Sequence, residues 1–401
     1  MYEQILMARQ PIFDQNVKVV AYELLFRQFR EDAACVIDGD NATSEVLVNA
    51  FSHLDINEVV GNKRAYINFT KNLLAKPPPF NKKRFVIEVL EDIPIDDDLV
   101  ANLDHLSKND YTIALDDFIH CDLSHRILPF ADIVKLDVLQ LSKQELTDHV
   151  RLLREYDVTL LAEKVETHEM YESCSELGFE LFQGYFLCKP EIISGKKIPA
   201  SKLLVLQLLS KLQDPDASME QLEALISRDP MLSFKTLKLV NSSSYAPRHK
   251  IESLAAAITY LGLDLIRNLT SLLALSNLSD KPSALKDQSV IRAKTCELLG
   301  KKICKRDASI YFSVGLLSTL DAFFDQPLES LINGLSLHQY VIDALLTHEG
   351  KYGEVLAAVI CLQKAEFDKI DWSALEKYDI TPDTLNQAYQ ESIAWSHSAI
   401  V

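Results

Sequence analysis

Residues 112–120 read TIALDDFIH. Thr112, Ile113, Ala114 and Leu115 form a short run suited to a buried strand. Two adjacent carboxylates, Asp116 and Asp117, close it. Acids at the end of a buried strand are costly unless positive charge sits beside them. Successive side chains on a strand face opposite sides, so the pair can serve two ions, or one ion and one hydrogen-bond network. Hard cations such as Mg²⁺ or Mn²⁺ take oxygen ligands of this kind. Acidic pairs also occur at ordinary strand-to-loop turns, so the surrounding chain decides the meaning of this one.

Outward from this stretch, the chain up to about residue 190 alternates between strand-like and helix-like runs. The strand candidates are 5–12, 17–26, 65–69, 85–90, 112–115, 133–136, 159–162 and 181–186. Amphipathic stretches at 44–60, 99–108, 142–156 and 168–177 lie between them. This is the rhythm of repeated βα units, and eight strands predict a compact (β/α)₈ barrel. The first two strands are joined only by a turn at Asp14-Gln15-Asn16, so they should pair antiparallel.

Polar residues then fall into a pattern. Glu23, Asn68, Glu88, Asp116 with Asp117, Lys135, Glu163 and Gln183 each stand at or near the C-terminal end of a predicted strand. Arg27 follows Glu23 by four residues, and Glu91 follows Glu88 by three. In a barrel, strand ends share one mouth, where active sites form.

The constellation resembles the EAL-type cyclic-di-GMP phosphodiesterases. Their Glu-x-Leu-x-Arg motif is matched by Glu23-Leu24-Leu25-Phe26-Arg27, with Leu24 in place of the usual Ala. Their Asn step matches Asn68, and their Glu-x-x-Glu matches Glu88 and Glu91. Asp-Asp-Phe, Lys-φ-Asp, Glu-x-Val-Glu and Gln-Gly-Tyr match Asp116-Asp117-Phe118, Lys135-Leu136-Asp137, Glu163-Lys164-Val165-Glu166 and Gln183-Gly184-Tyr185. The family's loop continues Gly-Thr-Gly after Asp-Asp-Phe; here it reads Ile119-His120-Cys121, a departure that bears on loop closure, dimer coupling and turnover. The resemblance implies two divalent ions, Mg²⁺ or Mn²⁺. One would be held by Glu23, Asn68, Glu88 and Asp116, and Asp116 would bridge to a second held with Asp117 and Glu163. It further implies that Lys135 orients or deprotonates the attacking water, Gln183 positions the water or Glu163, Arg27 holds a substrate phosphate, and Glu91 braces the loop after Asp117.

After Lys189-Pro190 the alternation stops. Residues 193–200, within IISGKKIPA, read as a connector between a barrel domain, 1–192, and a helical domain, 201–401. Helical periodicity recurs in the second half, with Ser218 a candidate cap and helices expected at 254–261, 264–275, 285–305, 308–323, 338–346, 354–364 and 381–396. Its histidines His249, His338, His348 and His397 are not followed by Asp, so no His-Asp metal dyad is present. Residues 226–270 resemble the HDOD module through Arg228-Asp229-Pro230, Asn241-Ser242 and Leu261-Gly262. That resemblance implies a regulatory or interaction module. The predicted fold is thus α/β plus all-α: a modified TIM-like barrel with an antiparallel first strand, then an all-helical HDOD domain.

The net charge of −17 argues against a broad DNA-binding surface, while leaving room for an anionic small ligand where metals reverse the local sign. Seven scattered cysteines without a C-x-x-C pair suit free thiols in a reducing cytoplasm. The N-terminus lacks a signal-peptide pattern, and no window predicts a membrane span. Three functions stay open: a metal-dependent hydrolase converting cyclic di-GMP to linear pGpG, a barrel that binds cyclic di-GMP without useful turnover, and a scaffold acting through the helical surface. A protein partner or homodimer, through barrel or helical domain, suits each.

Overall fold

The computed structural model describes residues 4–29, 56–77, 81–186, 200–214, 216–242, 245, 247–278 and 281–399. The chain divides into two compact units, Met1–Leu187 with Gln363–Ala365, and Cys188–Leu362 with Glu366–Val401. The connector expected at 193–200 lies outside the described residues up to 199, as does the part of the expected helix 44–60 before Ile56.

Eight strands close the first unit into a barrel in sequence order: β1 (Gln4–Asp14), β2 (Val19–Phe29), β3 (Arg64–Phe69), β4 (Phe85–Val89), β5 (Thr112–Leu115), β6 (Ile133–Asp137), β7 (Thr159–Glu163) and β8 (Leu181–Gln183). From β2 to β8 every pairing is parallel. The antiparallel first strand pairs with both neighbours in that sense, with β2 through a tight turn and with β8 where the barrel closes. The Asp14 carboxylate builds the turn by accepting from the amides of Asn16 at 2.8 Å and Lys18 at 2.9 Å.

One apolar layer crosses the barrel interior. Ile12, Ala21, Tyr66, Val86, Ala114, Ile133 and Leu161 are buried together there, with Leu181 packed against them, one residue from each strand. Side chains on a strand alternate faces, so the residue two positions along each strand points into the barrel again. That periodicity places the site described below.

The expected strand 181–186 ends at Gln183. Gly184, at φ +151°, turns the chain so that Gln183 O accepts from Val165 N and Phe186 N donates to Val165 O. A Cβ on Gly184 would stand 2.1 Å from Val165 O, so no other residue fits there without displacing backbone.

The second unit is helical throughout its described secondary structure. Ser218 and Gln221 form a reciprocal cap at the start of Met219–Ser227, and Asp229 caps Pro230–Val240. Asn241 fastens the following loop, exchanging hydrogen bonds of 2.8 Å with both the amide and the carbonyl of Ile251. The single helix expected at 308–323 is two, Ala308–Leu317 and Leu320–Phe324. At the break the Ser318 and Thr319 hydroxyls donate back to the carbonyls of Gly315 and Leu316, competing with continuation of the ladder. Among the described residues no helix is long and apolar enough to cross a membrane.

Gly184→Ala is expected to destabilise the protein by about 2–4 kcal/mol, since it combines a steric clash with an unfavourable φ. Gly61→Ala, at φ +60° with open space around it, should lose only about 1 kcal/mol. Urea unfolding of both variants checks the contrast.

Candidate active site

Two residues beyond the apolar layer, every strand presents a polar group. Ala21 leads to Glu23, Tyr66 to Asn68, Val86 to Glu88, Ala114 to Asp116, Ile133 to Lys135, Leu161 to Glu163 and Leu181 to Gln183. On β1, which runs the other way, Ile12 leads back to Gln10. The site is thus a single layer of the barrel at the C-terminal ends of its parallel strands.

Lys135 stands at its centre with its side chain wholly buried. Its ammonium lies 2.6 Å from Glu88 Oε1, 2.6 Å from Asp116 Oδ1, 2.8 Å from Glu163 Oε1 and 3.5 Å from Glu23 Oε2. Four carboxylates from four strands therefore close on one cation. Gln183 donates from Nε2 to Glu23 Oε2 at 2.5 Å and to Gln10 Oε1 at 2.9 Å, tying β8 to β2 and β1.

Asp117 sits in a second, adjoining group. Asp116 N donates to Val89 O and Phe118 N to Lys135 O, both at 3.0 Å, so the ladder grips the acidic pair on either side. Between these bonds Asp117 takes φ +37°. Lys164, at φ +55° just after β7, pairs with Asp137 and lies 3.5 Å from Asp117 Oδ2. Two non-glycine residues in the left-handed region side by side mark local strain at the mouth.

Arg27 and Glu91 lie outside this convergence. Arg27 is exposed on the stretch of β2 that continues past its pairing with β3, in register with Leu6. It shares the strand face of Glu23, about 13 Å further along. Glu91 is exposed in the turn after β4. Past Phe118, which is buried, Ile119 is 62% exposed. His120 N donates to His149 Nε2 at 3.2 Å and Cys121 N to Ser124 Oγ at 2.9 Å, so this loop is held from the helix Lys143–Leu153 and from its own turn.

Several oxygens of the layer, Asn68 Oδ1, Glu88 Oε2 and Gln183 Oε1, and Asp117 Oδ1 of the adjoining group, are buried without a hydrogen-bond partner. Among the described residues no group of three or more His, Cys, Asp or Glu side chains is arranged as a metal cage; the acids meet on the Lys135 ammonium instead. The orphaned atoms are nonetheless hard oxygen donors in an acid-rich layer, the donor set that a divalent cation of the Mg²⁺ class accepts.

Comparison with known proteins agrees with this architecture. The EAL domain model matches residues 53–190, and the HDOD domain model matches residues 198–324. The YuxH protein of Bacillus subtilis (strain 168) is 34% identical over 408 residues, covering 98% of each chain. The chain belongs to the EAL–HDOD family. A second relative of this EAL–HDOD protein, the cyclic di-GMP phosphodiesterase CdgJ of Vibrio cholerae, is 33% identical over 397 residues, covering 97% of this chain and 91% of CdgJ. A solved structure of BlrP1 from Klebsiella pneumoniae, a manganese/cy-diGMP complex at pH 9.0, gives a TM-score of 0.39 at 23% identity, covering 45% of this chain and 55% of that one.

Sequence reasoning missed three members of the EAL–HDOD site. Gln10 precedes its layer residue instead of following it, so a search for polar residues after apolar runs passes over it. Tyr66, in register with Glu23, lies close enough to Glu88 for that charge to add to burial in raising its hydroxyl pKa. Lys164 falls inside the Glu-x-Val-Glu match, but its position beside Asp137 and Asp117 depends on the turn after β7, which no periodicity reveals.

The electrostatics follow from burial. Burial raises the Glu163 carboxyl to about 8, with Lys135 opposing and Asp116 adding to the rise. Burial also lifts Glu88 well above the carboxylate range, and the Glu23 charge adds to it. For Lys135 burial works against the ammonium, but the surrounding carboxylates outweigh it and hold the pKa well above the usual lysine value. An acid whose folded pKa exceeds its unfolded value contributes stability that is whole below the unfolded value and lost as pH rises through the folded one. In chelator, the protein should therefore lose stability as pH rises from about 4.5 to about 8. Lys135→Met should cost about 3–5 kcal/mol by leaving the carboxylates without their counter-ion. The loss should be larger at pH 8.5 than at pH 6, where more of the acids carry protons. Urea melts of both proteins across this range check the sign; equal stability of wild type and variant at pH 8.5 would contradict it.

Proposed function

We propose that this EAL–HDOD protein hydrolyses cyclic di-GMP to linear pGpG at the barrel mouth. The observation that carries the reading is the convergence of Glu23, Glu88, Asp116 and Glu163 on Lys135, ringed by oxygens with unmet hydrogen-bonding capacity. The name of CdgJ, a relative over nearly the whole chain, supports the substrate class. Glu23, Asn68, Glu88 and Asp116 would hold one divalent cation, Mg²⁺ or Mn²⁺, and Asp116, Asp117 and Glu163 a second. Bound divalent ions supply a nucleophile at neutral pH and neutralise phosphate charge.

The chain's own groups do the rest. Lys135 offers an ammonium that stays charged at neutral pH, suited to orienting water against the phosphodiester. Gln183 fixes Glu23 and Gln10, so the wall beside the reacting phosphate stays in place. Arg27, on the extension of β2, presents a planar fork of donors to a substrate phosphate. Glu91, in the turn after β4, is assigned the support of the loop after Asp117. One water adds to phosphorus, one P–O3′ bond breaks, and the released 3′ oxygen takes a proton, which gives pGpG. The helical unit is assigned a regulatory or interaction role.

A second reading, binding of cyclic di-GMP without useful turnover, draws on Ile119-His120-Cys121 and on Lys164. An apolar, exposed residue at the loop tip, Ile119, is poorly suited to closing over an ionic site, and the Lys164 ammonium, 3.5 Å from Asp117 Oδ2, already supplies positive charge to that carboxylate.

The experiment is incubation of the full chain with cyclic di-GMP and Mg²⁺ or Mn²⁺, with chromatographic detection of pGpG. The expected result is metal-dependent production of pGpG that falls by about 10²-fold or more in Glu23→Ala and Asp116→Ala. Tight binding without product in wild type would select the second reading. Lys164→Ala is expected to strengthen divalent-cation binding measured calorimetrically without nucleotide, because it removes a competing charge from Asp117.

A further inference from the structure

We propose that the helical unit holds a phosphate-recognising pocket that takes a mononucleotide. A cavity of about 260 Å³ opens between the helices Leu263–Ser276 and Ala308–Leu317 and the segment leading into Gln339–Leu346. Two guanidinium groups, Arg267 and Arg306, line it against one carboxylate, Asp264. In a chain of net charge −17, this is a local excess of positive charge.

The carboxylate does little to cancel it. Asp264 is 64% exposed and stands 3.7 Å from Arg267, a weak and solvent-screened pairing. Arg306 makes no hydrogen bond or ion pair among the described residues. Arg267 is held in place by donating from Nη2 to Ala217 O at 2.7 Å, yet its Nε is buried with no acceptor. A buried guanidinium donor left unmet is costly, and an acceptor arriving with a ligand relieves it.

The floor is polar and locked. Ser313 donates to Asn268 Oδ1 at 2.7 Å, and Asn268 Nδ2 donates to Ser309 O at 2.9 Å. Arg is the side chain best shaped for phosphate oxygens, and a fixed polar floor beside it suits a compact anion.

The pocket rim adds a flat apolar surface. The rings of His338 and Tyr340 stack at 5.1 Å, and Tyr340 is 42% exposed. Tyr352 lies a further 5.4 Å away, and Tyr340 also lines a second cavity, of about 530 Å³. An anion pocket opening on an exposed aromatic shelf matches a phosphate joined to a planar base. The site is independent of the chemistry proposed for the barrel.

The test is isothermal titration of the full chain in EDTA with GMP, AMP, guanosine and inorganic phosphate, for wild type, Arg267→Gln, Arg306→Ala and Tyr340→Leu. Circular dichroism checks that each variant folds. Wild type is expected to bind GMP or AMP more tightly than either guanosine or phosphate alone. Arg306→Ala, on an exposed turn where folding is not at stake, should weaken the nucleotide by about tenfold or more. Arg267→Gln should weaken it at least as much. Tyr340→Leu should weaken nucleotides and leave phosphate unchanged. Nucleotide binding that survives Arg306→Ala and Tyr340→Leu undiminished would place the ligand elsewhere and overturn the proposal. So would phosphate binding with no gain from a base, or no binding by any of the four probes.

Discussion

A lysine ammonium with no exposure to water, enclosed by four carboxylates, is the interaction on which the barrel mouth depends. Neither partner could be buried alone: an isolated charge in an apolar interior costs several kcal/mol even after relaxation. Together they are tolerated, but the balance is uneven, with more acid than base in the layer. Burial, with the neighbouring carboxylates adding to it, makes Glu163 and Glu88 hold protons more strongly than ordinary carboxylates. Such a site is incomplete in charge, and binding of further cations relieves it. Stability and ligand capacity are therefore two aspects of one charge imbalance, a common arrangement where acids are gathered for chemistry.

Barrel geometry turns this imbalance into a site. One apolar layer fills the interior, and the next inward position on each strand is polar, so eight separate strand ends become neighbours. That pattern was readable along the chain for seven strands because parallel strands all carry the polar group after the apolar one. On β1 the order reverses with the strand, which hid Gln10. The expected ladder at 181–186 was too long because a strand-like run of apolar and aromatic residues carries no sign that Gly184 must pass against Val165. Arg27 and Glu91 illustrate a different limit: motif spacing places a residue on an element, whereas its distance from the site depends on how far that element projects beyond its neighbours.

In the helical unit, periodicity located the helices but not their interruptions. The Ser318 and Thr319 hydroxyls that part Ala308–Leu317 from Leu320–Phe324 are compatible with an unbroken helix in sequence and break it through local hydrogen bonds. The pocket around Arg267 and Arg306 was equally hidden, since its walls come from segments as distant in sequence as Asp264 and Val341. His338, one of the histidines not followed by Asp, stacks on Tyr340.

The most direct measurement is the manganese anomalous signal from crystals of the full chain grown with Mn²⁺ and cyclic di-GMP. The predicted result is manganese held by the strand-end oxygens of the barrel layer, among them Glu23, Asn68, Glu88 and Asp116, with a nucleotide phosphate over it and the Lys135 ammonium facing the phosphodiester. Nucleotide and metal bound away from that layer, with the four carboxylates still closed on Lys135, would contradict it.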